Sequence, residues 1–270
     1  MGKFDGLLFC SDLDDTLLTD DKYISDENIK ALQYFMDNGG KFTFTTGRTP
    51  MGVNNILKYI VPNTPVVCFN GAAIYDVATG KYVWQAELDK AALRAVEYVD
   101  KNFPTAGIVV CSDTQSYHPK TNRRVEEYRA WEKFPENYID YKDITEEWRK
   151  ILFMVEEEEI EPLRKLLSES EFHEMFDWTR SSPWYYELLP KGSTKGNGML
   201  RLADYLGIDH KKIIAMGDNE NDITSITMAG LGVAVANAVD IIKKAADVIT
   251  VDNNSHAAKA VINYIENHLL

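Results

Sequence analysis

Cysteine is scarce: Cys10, Cys68 and Cys111 are the only three in 270 residues. Their spacing matches neither a disulfide framework nor a metal motif. Cys10 and Cys68 lie in apolar runs, where a thiol acts as a small buried hydrophobe, and a reducing, cytoplasmic setting is expected. Positive charge is also short, with 29 Lys and Arg against 42 Asp and Glu and a net charge of −13. Nucleic-acid binding requires a basic face that releases counterions, so no nucleic-acid partner is expected. A small anionic ligand would have to be drawn in by local cations against the field of the whole chain. No apolar stretch approaches the ~20 residues that span a bilayer, so no membrane partner is expected. Met1–Gly6 leads straight into the first strand without the long apolar segment of a signal peptide. The five histidines show no pair at ligand spacing, and Gly230-Leu231-Gly232 lacks the rest of a dinucleotide fingerprint.

What the chain does have is core-forming capacity, 45% hydrophobic and 11% aromatic residues, enough for one large domain or two modest ones. The first third alternates strand and helix. Strands are predicted at 7–11, 41–45 and 66–69. Helices are predicted over 26–38, capped by Ser25 and stopped by Gly39-Gly40, and over 49–60. The order βαβαβ implies a parallel sheet with right-handed crossovers. A hairpin turning at Thr79-Gly80 follows. From Trp84 to Pro190 the chain turns aromatic, with a helix expected over 87–103 and strands at 107–112, 150–155 and 184–189. Residues 123–138 are polar and poorly periodic, and Glu156–Glu159 reads as a helix start, where the positive dipole end favours carboxylates. The last third returns to alternation, with helices at 196–206, 223–228 and 256–268 and strands at 212–216, 231–235 and 248–251. The expected architecture is an α/β, Rossmann-like, doubly wound and mostly parallel core, residues 1–83 and 191–270, with an α+β domain inserted at 84–190.

The first strand ends in Asp12-Leu13-Asp14-Asp15-Thr16. Ligands of open α/β sheets bind beyond the carboxyl ends of strands. Packing alone does not explain three crowded carboxylates there, because like charges repel and burial penalises them further; a bound cation relieves both. Three other polar groups fall at strand ends or loops of the same sheet: Thr46-Gly47-Arg48, Lys191 with Lys195, and Asp218 with Asn221-Asp222.

In combination these residues resemble the haloacid dehalogenase superfamily of phosphohydrolases, whose motifs are Asp-x-Asp-x-Thr, a Thr or Ser after the second strand, a Lys, and Gly-Asp-x-x-x-Asp. Thr-Gly-Arg, Asn-Gly-Ala, Pro-Lys-Gly-x-x-Lys-Gly and Gly-Asp-x-x-Asn-Asp look like its Cof-type subfamily. The resemblance implies Asp12 as nucleophile, Asp14 as general acid and then base, and Mg2+ as cofactor. It implies Asp12, the Asp14 backbone carbonyl and Asp218 as metal ligands, with Asn221 and Asp222 orienting them. Thr46 and Lys195 would hold phosphoryl oxygens, and Gly47, Arg48 and Asn70 would border the substrate. Lys191 competes with Lys195, which is favoured because Lys195-Gly196 opens the helix. Arg48 either contacts substrate or braces its loop. Asp15 departs from the glycine usual at its position.

The insertion resembles the family's type-two cap, with Arg123, Arg124, Trp131, Trp184 and Tyr186 as candidate contacts. The implied partner is a small phosphorylated substrate, a sugar phosphate above all, acted on by a monomer or small homo-oligomer. A phosphomutase, or a non-catalytic binding module on the same fold, are the alternatives.

Overall fold

The computed structural model describes residues 2–268. The opening stretch runs β1 (Leu8–Ser11), α1 (Asp26–Asp37), β2 (Lys41–Phe44), α2 (Pro50–Asn54), β3 (Val66–Cys68), β4 (Ala73–Asp76) and β5 (Lys81–Gln85). The middle comprises α3 (Ala91–Asn102), β6 (Gly107–Cys111), β7 (Ser116–Lys120), α4 (Arg123–Glu132), β8 (Lys150–Met154), α5 (Ile160–Ser168), β9 (Asp177–Ser182) and β10 (Tyr185–Leu189). The last third runs α6 (Lys195–Leu206), β11 (Ile213–Gly217), α7 (Ile223–Met228), β12 (Leu231–Ala234), α8 (Asp240–Ala245), β13 (Val248–Ile249) and α9 (Ala257–His268).

The chain forms two compact units, one from the residues up to Gln85 and from Thr194 onward, the other Ala86–Ser193. The breaks fall a few residues beyond the expected 83/84 and 190/191. β5 keeps Trp84 and Gln85 paired to β4, and the Gly192 N–H donates to the Asp177 carboxylate at the root of β9.

The first unit is built on a sheet ordered β13-β12-β11-β1-β2, every neighbouring pair parallel. β1, β11 and β12 are buried at every position, as strands covered on both faces must be. Cys10 lies level with Ala215 and Ser11 with Met216 and Phe44. The residues just past Ser11, Phe44 and Gly217 therefore emerge side by side.

Three expectations are corrected. β3 is not a full strand of the parallel sheet. It pairs antiparallel with β4 and meets β2 through a single Thr45–Val67 bridge, because β2 gives way to the Thr46–Arg48 loop. The helix expected over 49–60 stops at Asn54. Thr49 caps it and Pro50 opens it, but Ile56 and Tyr59 bond to carbonyls three residues back, in tight turns rather than helix. α3 begins at Ala91, not 87. The Leu88 N–H donates to the Trp148 carbonyl, and the Asp89 carboxylate accepts the Ala91 N–H as a cap.

The second unit is an antiparallel sheet ordered β7-β6-β8-β10-β9. One face, with Ile108, Val110, Ile151, Phe153 and Leu188, packs on α3 and α5. The alternate positions of β8 and β10 hold a buried ion pair, Lys150 Nζ to Glu187 Oε2 at 2.8 Å, and Ser181 Oγ donates to the other Glu187 oxygen. The acid run opens α5 as expected: Glu156 and Glu159 form a capping box. Residues 123–132 prove helical. Asn122 caps α4, and Arg124–Glu127 and Arg129–Glu126 pairs line its surface.

The side chains expected to contact substrate are largely engaged inside this unit. Arg123 and Arg124 both grip Glu156, at 2.8 and 2.6 Å, and Arg124 lies 4.4 Å over the Trp184 ring. Tyr186 stacks on Trp178 in the core, while Trp131 stands exposed on α4. No helix among the described residues is long and apolar enough to cross a membrane.

Candidate active site

Neighbouring parallel strands carry the acidic groups to one place. Asp12 follows β1, and its backbone N–H donates to Met216 O at 2.9 Å, continuing the ladder with β11. Asp218 follows Gly217 at the end of β11. The chain leaves β1 toward β2 on one side and later returns as β11 on the other. This is the reversal of strand order at which open α/β sheets form their ligand crevices. Carboxylate oxygens of Asp12, Asp218 and Asp222 all lie within 4.8 Å of one another, and all three residues are buried.

Lys195, the first residue of α6, places its ammonium between two of them. Nζ lies 2.7 Å from Asp12 Oδ1 and 2.7 Å from Asp222 Oδ1. Burial alone would lower its pKa, but the charges of Asp12 and Asp222 hold it above the usual lysine range. Asp222 is fully engaged, its other oxygen accepting the Asp218 and Asn219 N–H groups at 3.1 and 3.2 Å. Thr16 Oγ1 donates to Asp218 Oδ1 at 2.6 Å. Burial pushes the Asp218 carboxyl up to about 7, helped by the charge of Asp222, and burial likewise raises Asp12 despite Lys195.

One ammonium thus faces three buried carboxylates, so negative charge is left uncompensated. Asn221 Oδ1 is buried without a hydrogen-bond partner. An all-oxygen donor set with surplus negative charge and an orphaned acceptor fits a hard divalent cation such as Mg2+.

The neighbouring loops are locked together. Thr46 Oγ1 accepts the Arg48 N–H at 3.1 Å, the Thr46 carbonyl accepts the Asn70 N–H at 3.0 Å, and the Arg48 carbonyl accepts the Phe69 N–H at 3.0 Å. Phe69 and Asn70 are both left-handed, at φ 52° and 54°, a conformation that asparagine tolerates and phenylalanine adopts only under tertiary constraint. Asn70 Oδ1 accepts from Asn221 Nδ2 at 3.0 Å, joining this loop to the one after β11. Gly71, at φ +98°, presses against the Thr194 carbonyl, where a Cβ would overlap it. That contact seats the start of α6 and hence Lys195. Gly217 has a similar reason: a Cβ there would overlap the Asp222 carboxyl. Gly47 lies beside the Asn70 side chain.

Asp14 is turned to a different partner. Arg48 holds it with two parallel bonds, Nε to Oδ2 and Nη2 to Oδ1, both 2.8 Å. Although burial favours the protonated acid, the Arg48 bonds and charge, with Lys22 and Lys195 behind them, keep its pKa below the usual carboxylate range. Asp15 sits at φ 55°, the left-handed region where glycine is at home and aspartate is tolerated. Its side chain points outward, 56% exposed, and pairs with Lys22 at 2.8 Å. Lys191 is 56% exposed and lies 3.7 Å from Asp177.

The sequence therefore names most of the constellation but not its internal bonds. Lys22 went unnoticed because a lone lysine in a loop carries no motif, and the Arg48–Asp14 pair leaves no signal in spacing.

A family model described as haloacid dehalogenase-like hydrolase matches residues 9–262. The chain belongs to the haloacid dehalogenase superfamily. It is 32% identical over 260 residues to the 5-amino-6-(5-phospho-D-ribitylamino)uracil phosphatase YcsE of Bacillus subtilis, covering 96% of this chain and 95% of that protein. It is 24% identical to the pyridoxal phosphate phosphatase YbhA of Escherichia coli, covering 96% and 97%. Among solved structures it is similar to TM0651 of Thermotoga maritima, with a TM-score of 0.79, 26% identity and coverage of 96% and 97%. Within the superfamily it falls among the Cof-type phosphatases, enzymes that hydrolyse phosphorylated small molecules.

Proposed function

We propose that this phosphatase is Mg2+-dependent and cleaves small phosphate monoesters, sugar or polyol phosphates above all, through an aspartyl-phosphate on Asp12. The observation that carries this reading is the Lys195 ammonium held between Asp12 and Asp222, with the Asp218 carboxylate beside them. Three buried carboxylates there meet one ammonium, so a divalent cation would complete the charge at the end of β1 and let a phosphate approach, on a chain of net charge −13.

In this reading an Asp12 oxygen attacks phosphorus in line while the ester P–O bond breaks. Asp14, ionised beside Arg48 in the free protein, takes up a proton as the negatively charged ester arrives, gives it to the leaving oxygen, and later takes one from the water that hydrolyses the aspartyl-phosphate, releasing inorganic phosphate and restoring Asp12. Lys195 and the Thr46 hydroxyl receive the equatorial oxygens, where charge accumulates. Asp12, Asp218 and the Asp14 carbonyl would hold the cation, and Asn221 and Asp222 would orient that set. When bound, Mg2+ supplies the positive charge that lets a phosphate dianion approach a carboxylate. Residues 86–193 serve as the cap, and a cytoplasmic location accords with three free, buried cysteines.

The choice of sugar and polyol phosphates is supported by YcsE, whose named substrate carries a phosphorylated ribityl chain. A screen of phosphate release over sugar phosphates, polyol phosphates, nucleotides and phosphorylated vitamins, with Mg2+, tests it. Turnover confined to non-sugar esters would remove the substrate claim. Transfer to a second hydroxyl without phosphate release would favour the phosphomutase. Asp12→Asn is nearly isosteric, so it should keep the fold and lose at least about a thousandfold in kcat; full turnover would refute Asp12 as nucleophile.

A further inference from the structure

Arg48 meets the Asp12–Thr16 segment through a two-pronged bond to the Asp14 carboxylate. The two contacts, both 2.8 Å, use the fork geometry that matches guanidinium to carboxylate. The arginine side chain is only 11% exposed. Its backbone is fixed at both ends of the residue, by its N–H on Thr46 Oγ1 and by its carbonyl on the Phe69 N–H. Lys22 Nζ also stands 3.9 Å from Asp14 Oδ1 and is itself tied to Asp15 at 2.8 Å. The carboxyl of Asp14 is thus held by Arg48, with Lys22 nearby, both outside the acidic cluster around Lys195.

We propose that Arg48 is a positioning residue that acts through Asp14, fixing the direction of its carboxyl group, and not a ligand of the phosphoryl group. This rests on the reading of Asp14 as the residue that serves the leaving oxygen. A mis-aimed Asp14 harms esters in proportion to how badly their leaving group needs a proton. An alkoxide needs one; a nitrophenolate departs without it. A phosphoryl ligand would instead matter equally to every ester, because all share the same phosphoryl group.

The test is a double-mutant cycle of Arg48→Ala and Asp14→Asn on the full-length enzyme with Mg2+. It is read on p-nitrophenyl phosphate and on glycerol 2-phosphate. The expected result is a loss of kcat for Arg48→Ala about thirtyfold or more greater on the alkyl ester than on the aryl ester, within the range general acid–base groups contribute. In the Asp14→Asn background the same substitution should cost no more than about threefold on the alkyl ester, because residues acting as a unit are non-additive. Added guanidinium should restore part of the alkyl activity of Arg48→Ala. Arg48→Lys, which keeps the charge and loses the fork, should show the same substrate bias to a smaller degree, and it carries the test if the alanine variant does not fold.

Equal losses on both esters, entering through KM and multiplying with those of Asp14→Asn, would overturn the proposal. So would an Arg48→Ala variant with full alkyl turnover beside a crippled Asp14→Asn. Full alkyl turnover of Asp14→Asn itself would strike the underlying reading of Asp14 instead, which separates the two failures.

Discussion

Replacing Lys195 with methionine tests whether its ammonium is the main counter-charge of the site in the metal-free protein. The substitution keeps a long flexible chain and removes two charge-assisted hydrogen bonds, both 2.7 Å, from a side chain with no exposed surface. Each such bond contributes about 1.5–3 kcal/mol. Breaking a buried ion pair by removing one partner costs about 3–5 kcal/mol, because the other charge stays buried without compensation. Here two carboxylates are stranded, but Asp12 escapes part of that cost by taking up a proton, which burial already favours. A loss of about 3–5 kcal/mol follows, equal to a fall in Tm of about 6–20 °C for a protein of this size. The assay is thermal unfolding followed by circular dichroism, in EDTA near pH 8. A fall of under about 2 °C would refute the reasoning, since it would mean that the carboxylates are adequately solvated without Lys195.

Metal and proton should compete for the same surplus charge. Asp218 titrates at about 7 when folded, against an ordinary 3.8. The folded state therefore binds that proton more readily than the unfolded state, and the site is relieved as pH falls through about 7. The rise in Tm on adding Mg2+ should accordingly be larger at about pH 8 than at about pH 5.5, and an equal or reversed effect would count against the cation site. Taking the difference with and without Mg2+ cancels the opposite trend of His118, whose pKa burial lowers and whose stability contribution is lost as pH falls below its ordinary 6.5. Both ring nitrogens of His118 are buried without partners, so His118→Leu should raise stability by about 1 kcal/mol, and a melt showing a loss of that size would contradict it. Gly217→Ala should displace the Asp222 carboxyl and cut kcat by at least about tenfold with the chain still folded; wild-type kinetics would show that the loop after β11 accommodates a methyl group.

Much of the site was legible because its chemistry is local. Carboxylates at a strand end, the Gly-Asp turn after β11 and a lysine opening α6 are each written in a few consecutive residues. The α7 limits, the hairpin at Gly80 and the helix start at the acid run before α5 were also readable, since caps, turns and periodic apolar positions act over one or two turns of chain. What escaped was held by distant partners. β7 contains Pro119 and β9 is half-buried and polar, DWTRSS; both are edge strands, tolerant of residues a central strand would reject. α4 buries only Val125 and Tyr128, too few to show a helical stripe, and depends on its cap and surface ion pairs. α2 stops early at Asn54-Asn55, residues of low helix propensity that also suit a helix end.

The sequence by itself determined the kinds of groups available: an aspartate pair at a strand end, a hydroxyl, a lysine and a second acidic turn, in an order that identifies the superfamily. Only the tertiary structure decided which of them touch. Lys195 and Asp12 are 183 residues apart, and the seating of α6 against Gly71 brings them to 2.7 Å at the end of β1. The same packing gave Asp14 to Arg48 and set Asp15 in a left-handed turn with its charge facing Lys22. Periodicity and motif reach only along the chain, whereas the pairing of charges depends on which strand ends lie side by side and on how much water burial has removed.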